Sequence, residues 1–216
     1  MLNKSYILIL LLLLVGCVER PFYQPTRKIY RTPSEYGLKF ENVHFKSKDG
    51  TLLNGWFIPA QGEALGTVIQ FHGNAQNMSS HFTFAAWLPK NKFNLFVFDY
   101  RGYGKSQGVP SREGVYQDSF AALEYLVSRK DIDKNKIIVL GQSLGGANAI
   151  AVLGKNRFPE VKGIIIDSAF YSYKKVASDA LRHTSVGSIA APISSVMVSD
   201  KYQPLDAVKN IKNTPK

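Results

Sequence analysis

An apolar run, Ile137–Leu140 (IIVL), leads into the hexapeptide Gly141-Gln142-Ser143-Leu144-Gly145-Gly146, and an alanine-rich stretch follows it. Few arrangements satisfy that order. A strand can reverse into a helix within two or three residues only where the neighbouring positions lack side chains that would clash. Three glycines around one serine supply that room. The serine is then held at the tip of the bend, above the edge of a sheet. Any fold of this chain has to place a strand–turn–helix here.

The rest of the chain repeats the same rhythm. Thr67–Phe71 (TVIQF), Leu95–Phe98 (LFVF), Ile137–Leu140 and Gly163–Ile166 (GIII) are short apolar runs without alternation, the pattern of strands buried on both faces. Between them lie stretches long enough for crossover helices: Ser79–Lys90, Ser111–Lys130 and Leu144–Lys155. In the second, Val115, Phe120, Leu123 and Leu126 fall near helical spacing. Strand–helix alternation predicts a mostly parallel sheet with helices on both faces, an α/β fold. Upstream, Phe40–Phe45 and Leu52–Ile58 read as two strands joined by a turn at Lys48-Asp49-Gly50; in the second, Leu52, Asn54, Trp56 and Ile58 alternate with Leu53, Gly55 and Phe57.

The N-terminus carries a different signal. Lys4 precedes a ten-residue apolar run, Tyr6–Val15. A membrane-spanning helix needs about 20 such residues, so the run reads as the hydrophobic part of a signal peptide. It ends in Leu14-Val15-Gly16-Cys17, which resembles the lipobox of bacterial lipoproteins. The resemblance implies cleavage before Cys17 and lipid on its thiol; the alternative is an ordinary signal peptide with an incidental cysteine. Residues 1–16 are then a signal peptide, and 17–37, with three prolines after Val18, a lipid-anchored tether. Residues 38–216 form the domain. By the same resemblance, Val18 favours a periplasm-facing outer-membrane location in a Gram-negative host.

Composition removes several function classes. One cysteine cannot form an internal bridge, and no CxxC, HExxH or paired-histidine spacing marks a metal site. No cofactor or metal is expected. The net charge of +11 suits a surface near anionic head groups. No Lys/Arg cluster interleaves with stacking aromatics, so no nucleic-acid partner is expected. The oligomeric state is left open.

The chemistry gathers at two motifs. Gly141–Gly145 spells G-x-S-x-G, which makes Ser143 a candidate nucleophile unless the segment is only a structural turn. The Leu144 N–H, at the start of the following helix, faces any negative charge developing beside that serine. After TVIQF comes His72-Gly73-Asn74, where Gly73 permits close approach and the Asn74 N–H is a second candidate donor. His72 is a candidate base or a buried, hydrogen-bonded structural residue.

Five stretches, KDGTLLNGWFIPA, FHGNAQNMS, FDYRGYGKSQGVPS, GQSLGGANAI and IIIDSAFYSY, run in order across about Phe40 to Tyr173. Together they resemble the α/β-hydrolase superfamily, and within it the membrane-anchored serine hydrolases of the bud-emergence type. The resemblance implies hydrolysis of a small ester or other acyl substrate, with Ser143 as nucleophile and the Asn74 and Leu144 N–H groups as oxyanion hole. It makes His72 structural, because in this fold acid and base follow the serine. It assigns Asp99–Gly104 to a pocket-rim turn in which Asp99 and Arg101 form a structural ion pair.

Downstream of Ser143 the only histidine is His183, in the cap expected over about residues 170–203. The candidate acids are Asp167, Asp179, Asp200 and Asp206; Asp167 ends the GIII run. The family's acid normally follows a seventh strand, and Asn210–Lys216 resembles the lead-in to it. The expectation is therefore a hydrolase domain lacking its last strands, with Gly163–Ile166 an exposed apolar edge. Two readings follow: a serine hydrolase, or an inactive remnant or scaffold of the same fold. A halide- or epoxide-type hydrolase is set aside, because those put aspartate at the bend.

Overall fold

A computed structural model describes residues 22–182, 198–211 and 214–215. Six strands form one sheet: β1 (Glu41–Lys46), β2 (Leu52–Ile58), β3 (Gly66–Phe71), β4 (Phe93–Phe98), β5 (Ile137–Gln142) and β6 (Val161–Asp167). Their order across the sheet is β1-β2-β4-β3-β5-β6. The β1–β2 hairpin and the β2–β4 pair are antiparallel, while β4, β3, β5 and β6 run parallel. Among the described residues, five helices accompany them: α1 (Met78–His81), α2 (Arg112–Ser128), α3 (Leu144–Leu153), α4 (Tyr173–Arg182) and α5 (Pro204–Asn210).

Alternate strand residues feed two cores. Ile69, Phe71, Phe96, Phe98 and Val139 pack with Val115, Leu123 and Leu126 of α2 and Ala149 and Val152 of α3. Val68, Leu95 and Val97 point the other way, onto Met78, Phe82, Ala85 and Leu88. The apolar runs anticipate the mostly parallel sheet, and the arrangement is the α/β-hydrolase fold that the resemblance implies. Strand β2 is buried on both faces, every residue after Leu52 included. It lies inside the sheet, so Leu53 and Phe57 enter one core while Trp56 and Ile58 enter the other.

Three expectations are corrected. The Ser79–Lys90 crossover is not one helix: α1 has four residues, and 3-10 turns at Phe82–Phe84 and Pro89–Asn91 complete the connection. Pro89 has no N–H to donate to the Ala85 carbonyl, so the last turn of the segment lacks a bond that a continuous helix would need. The described part of the expected tether is docked on the domain. Tyr23 is buried, the Thr26 N–H donates to the Gln76 carbonyl at 3.1 Å, and the Asn77 amide donates to the Thr26 and Lys28 carbonyls at 2.9 and 2.7 Å. Prolines suppress regular structure there, but side-chain hydrogen bonds supply the backbone's partners instead.

Nor do Asp99 and Arg101 pair with each other. The chain turns after Phe98 and sends them to different neighbours. Arg101 binds Asp118 through Nε and Nη2 at 3.0 and 2.8 Å, and Asp49 of the β1–β2 turn through Nη1 at 2.7 Å. Asp99 accepts the Met78 N–H at 2.7 Å and lies 3.5 Å from His72 Nε2.

Strand β6 forms the edge of the described sheet, with Ile165 57% exposed, and the Ile164 N–H donates to the Pro215 carbonyl at 3.0 Å. Cys17, the apolar run at 6–15, His183 and cap residues 183–197 lie outside the described residues.

Candidate active site

Strand β5 ends at Gln142 and α3 begins at Leu144, so Ser143 alone makes the reversal. Its backbone stands at φ 49°, ψ −114°, a sparsely populated region that costs a non-glycine residue about 1–3 kcal/mol. The surroundings hold it there. The Ser143 N–H donates to the Asp167 carbonyl at 2.8 Å, and its own carbonyl accepts from the Ala147 N–H at 3.1 Å. The hydroxyl does not cap the helix it precedes, and the residue is half-buried.

The flanking glycines are required by contact. A Cβ on Gly145 would fall on the Phe71 carbonyl and 2.6 Å from the His72 carbonyl oxygen. One on Gly141 would lie 2.6 Å from the Gly146 Cα. Helix α3 therefore sits directly against the ends of β3 and β5.

Pairing of Phe71 with Gly141 in the parallel β3–β5 register sets His72-Gly73-Asn74 beside the bend. A Cβ on Gly73 would be 3.6 Å from the Gln142 carbonyl oxygen, which measures how closely the two loops approach. The Asn74 side chain fixes its loop: its Oδ1 accepts from the Gln24 N–H at 2.9 Å, the Ala75 N–H at 2.7 Å and the Tyr103 hydroxyl at 3.0 Å. Beyond it Ala75 and Gln76 both have positive φ, 62° and 53°. The N–H of Leu144, at the first position of α3, has no partner within that helix.

His72 is buried behind this loop. Its Nδ1 lies 2.8 Å from the Gly73 carbonyl, which sets Nδ1–H as donor and leaves Nε2 an acceptor facing Asp99. Burial, helped by the His81 charge, lowers the His72 pKa to about 3; burial raises that of Asp99 to about 7, against backbone hydrogen bonds from Met78 and Lys105. Both groups are thus pushed to their neutral forms, an acid beside an imidazole acceptor. His72 is thus buried behind the loop and bonded to the Gly73 carbonyl, as the buried-histidine reading anticipates.

Asp167 stands on the other side of the bend, paired with Gln142 in the β5–β6 register. Its backbone carbonyl supports Ser143, while its exposed carboxylate accepts from the Ser168 hydroxyl at 2.8 Å and lies 3.5 Å from Gln142 Nε2. The other candidate acids are engaged elsewhere: Asp179 with Lys175, Asp200 with Ser172 and the Lys174 N–H, Asp206 with Gln203 and Lys209.

One residue at the site escaped the sequence reading. His81 bridges the two loops, with Nδ1 3.3 Å from Gln142 Oε1 and Nε2 3.3 Å from the Ala75 carbonyl, and its ring stacks on His72 with centroids 5.4 Å apart. Only its position four residues after Asn77, the N-cap of α1, could have drawn notice. Among the described residues, no group of three or more His, Cys, Asp or Glu side chains is placed to hold a metal ion.

Residues 62–212 match the sequence pattern of the family described as Hydrolase_4, serine aminopeptidase S33. The chain belongs to that family. It is an α/β hydrolase by sequence and by fold. YfhR of Escherichia coli O157:H7 is 37% identical over 198 residues, covering 90% of this chain and 65% of its own. Protein bem46 of Schizosaccharomyces pombe is 32% identical over 197 residues, covering 90% of this chain and 64% of its own. The chain thus spans just under two thirds of the length of these two relatives. A Pyrococcus furiosus esterase shares the fold, with a TM-score of 0.70 at 22% identity over 90% of this chain and 75% of that one.

Proposed function

We propose that this Hydrolase_4 member cleaves carboxylic esters or related acyl substrates with Ser143 as nucleophile. The observation that carries the reading is the strained half-buried serine at the start of α3, beside the Gly73–Asn74 loop. Ser143 Oγ attacks the carbonyl carbon and gives its proton to a general base. The carbonyl oxygen becomes an oxyanion, held by the N–H groups of Asn74 and Leu144. Collapse breaks the ester C–O bond, the protonated base gives its proton to the leaving oxygen, and the alcohol departs from an acyl-serine. Water, deprotonated by the same base, then attacks the acyl carbon, and Ser143 Oγ leaves with that proton as the acid is released. Each donor of this kind contributes about 10²–10³ in turnover. The family resemblance implies an acid and base after a seventh strand; Asp167 and His183 are the candidates within this sequence. The test is a fluorophosphonate probe, expected to label Ser143 and to fail on Ser143→Ala; an unlabelled native chain rejects the reading.

A second reading has its own support: the Asp167 carboxylate is committed to Ser168 and Gln142, with no imidazole beside it among the described residues. On that reading the chain is a scaffold of the hydrolase fold without turnover. It predicts p-nitrophenyl ester hydrolysis equal to that of Ser143→Ala, and serine-dependent turnover rejects it.

We infer further that Cys17 carries lipid and holds the domain at the cell envelope, from the short apolar run ending in Leu-Val-Gly-Cys. Metabolic labelling with an alkyne fatty acid should mark the native chain and not Cys17→Ser; equal labelling of both rejects it.

A further inference from the structure

Two large apolar side chains stand out of the surface next to the candidate site. Phe84 is 62% and Trp87 58% exposed, although both belong to the segment whose Phe82, Ala85, Ala86 and Leu88 fill the core beneath. They are held outward as a pair, not loosely. The Trp87 indole N–H donates to the Phe84 carbonyl at 3.1 Å, and the Asn91 amide donates to the Trp87 carbonyl at 2.9 Å. Turn hydrogen bonds from Ala85 to Phe82 and from Leu88 to Ala85 hold the backbone below them.

A single exposed apolar residue needs no explanation, but two of them three positions apart, tied by the indole-to-carbonyl bond and close to a site, point to a ligand. The pair is continuous with the bend. The Phe84 ring lies 6.2 Å from the His81 ring, centroid to centroid, and His81 Nδ1 lies 3.3 Å from the side chain of Gln142, which precedes Ser143. An ester carbonyl at Ser143 would therefore have, on this side, a path over the half-buried His81 ring to an aromatic surface.

We propose that Phe84 and Trp87 form a shelf for the apolar chain of an acyl substrate, which makes medium- or long-chain acyl compounds the substrate class. The shelf rests on the hydrolase reading of Ser143 but is tested apart from it. Aromatic surface gains about fourfold in affinity for each methylene it buries, and it does so without directional hydrogen bonds. The shelf thus selects for chain length and leaves the carbonyl chemistry to the two loops.

The chain has two tryptophans, Trp56 buried at 4% and Trp87 exposed, so emission reports the shelf directly. Titration with butanoate, octanoate and dodecanoate, each below its micelle concentration, should shift the Trp87 emission to the blue. Affinity should rise about fourfold per methylene until the shelf is covered. Trp87→Phe should remove the shift, and Phe84→Ser should weaken dodecanoate binding at least tenfold. Dodecanoate should also slow fluorophosphonate labelling of Ser143 in the native chain more than in Phe84→Ser. Binding independent of chain length, or unchanged in Phe84→Ser, overturns the proposal. So does loss of binding to phosphatidylcholine vesicles in both variants with dodecanoate binding intact, because the pair then serves a bilayer. Absence of labelling with the emission shift present rejects the hydrolase reading alone.

Discussion

The two sides of Ser143 are built differently. On the β3 side, the Gly73–Asn77 loop is tied from several directions: by Gln24, by Tyr103, by His81, and from behind by the buried His72 and Asp99. On the β6 side, Asp167 offers a backbone carbonyl to Ser143, but its carboxylate is exposed and, among the described residues, accepts hydrogen bonds from Ser168 and Gln142. The contrast separates two requirements of acyl transfer. Stabilising an oxyanion needs donors fixed before the reaction, whereas a proton relay needs side chains brought together across the bend. On the proposed hydrolase reading, the described residues supply the first.

Substitutions on the two sides should therefore differ in size, and the largest effect belongs to the bend. Gly145→Ala drives a methyl into the Phe71 and His72 carbonyls and should cost about 3 kcal/mol, read as a fall in the denaturant midpoint, with Ser143 labelling abolished. Next comes the loop. Asn74→Ala keeps the backbone N–H but strands three donors, so labelling should slow about tenfold with a stability loss of about 1–3 kcal/mol. If it labels at the native rate, the loop does not position an oxyanion donor.

The buried pair behind the loop gives a pH signature. Asp99 binds its proton more tightly folded than unfolded, so its contribution is complete below about pH 4 and is lost as pH rises through about 7. Stability of the native chain relative to Asp99→Asn should accordingly decline from pH 4 to 7; a flat difference would show the carboxyl to be ionised throughout. The smallest effect is expected at the opposite side. Asp167→Asn and Ser168→Ala should each change stability by less than about 0.5 kcal/mol. A larger loss at Asp167 would erase the contrast.

Much of this was legible because burial on both faces writes itself as uninterrupted apolar residues. Strands β3 to β6 follow the runs TVIQF, LFVF, IIVL and GIII closely. The bend at Ser143 was readable for a similar reason, since its glycines answer backbone contacts that admit no other residue. What stayed hidden depends on partners distant in sequence. Arg101 binds Asp118 and Asp49 rather than its neighbour Asp99, and local spacing carries no record of which side of a turn each side chain takes. His81 reaches Gln142 sixty-one residues away. The docking of residues 22–37 eluded the reading because prolines speak against helix and strand, and are silent about a strap held by side-chain amides.

That strap has a mechanical consequence. The Gln24 amide hydrogen is bonded to the same Asn74 oxygen that orders the loop beside Ser143, and Asn77 grips the strap two residues further on. The folded body thus begins before its first strand, and a preparation trimmed to start at Leu38 would lose a clamp on Asn74. Force applied to the leading end of the chain would be delivered first to that loop.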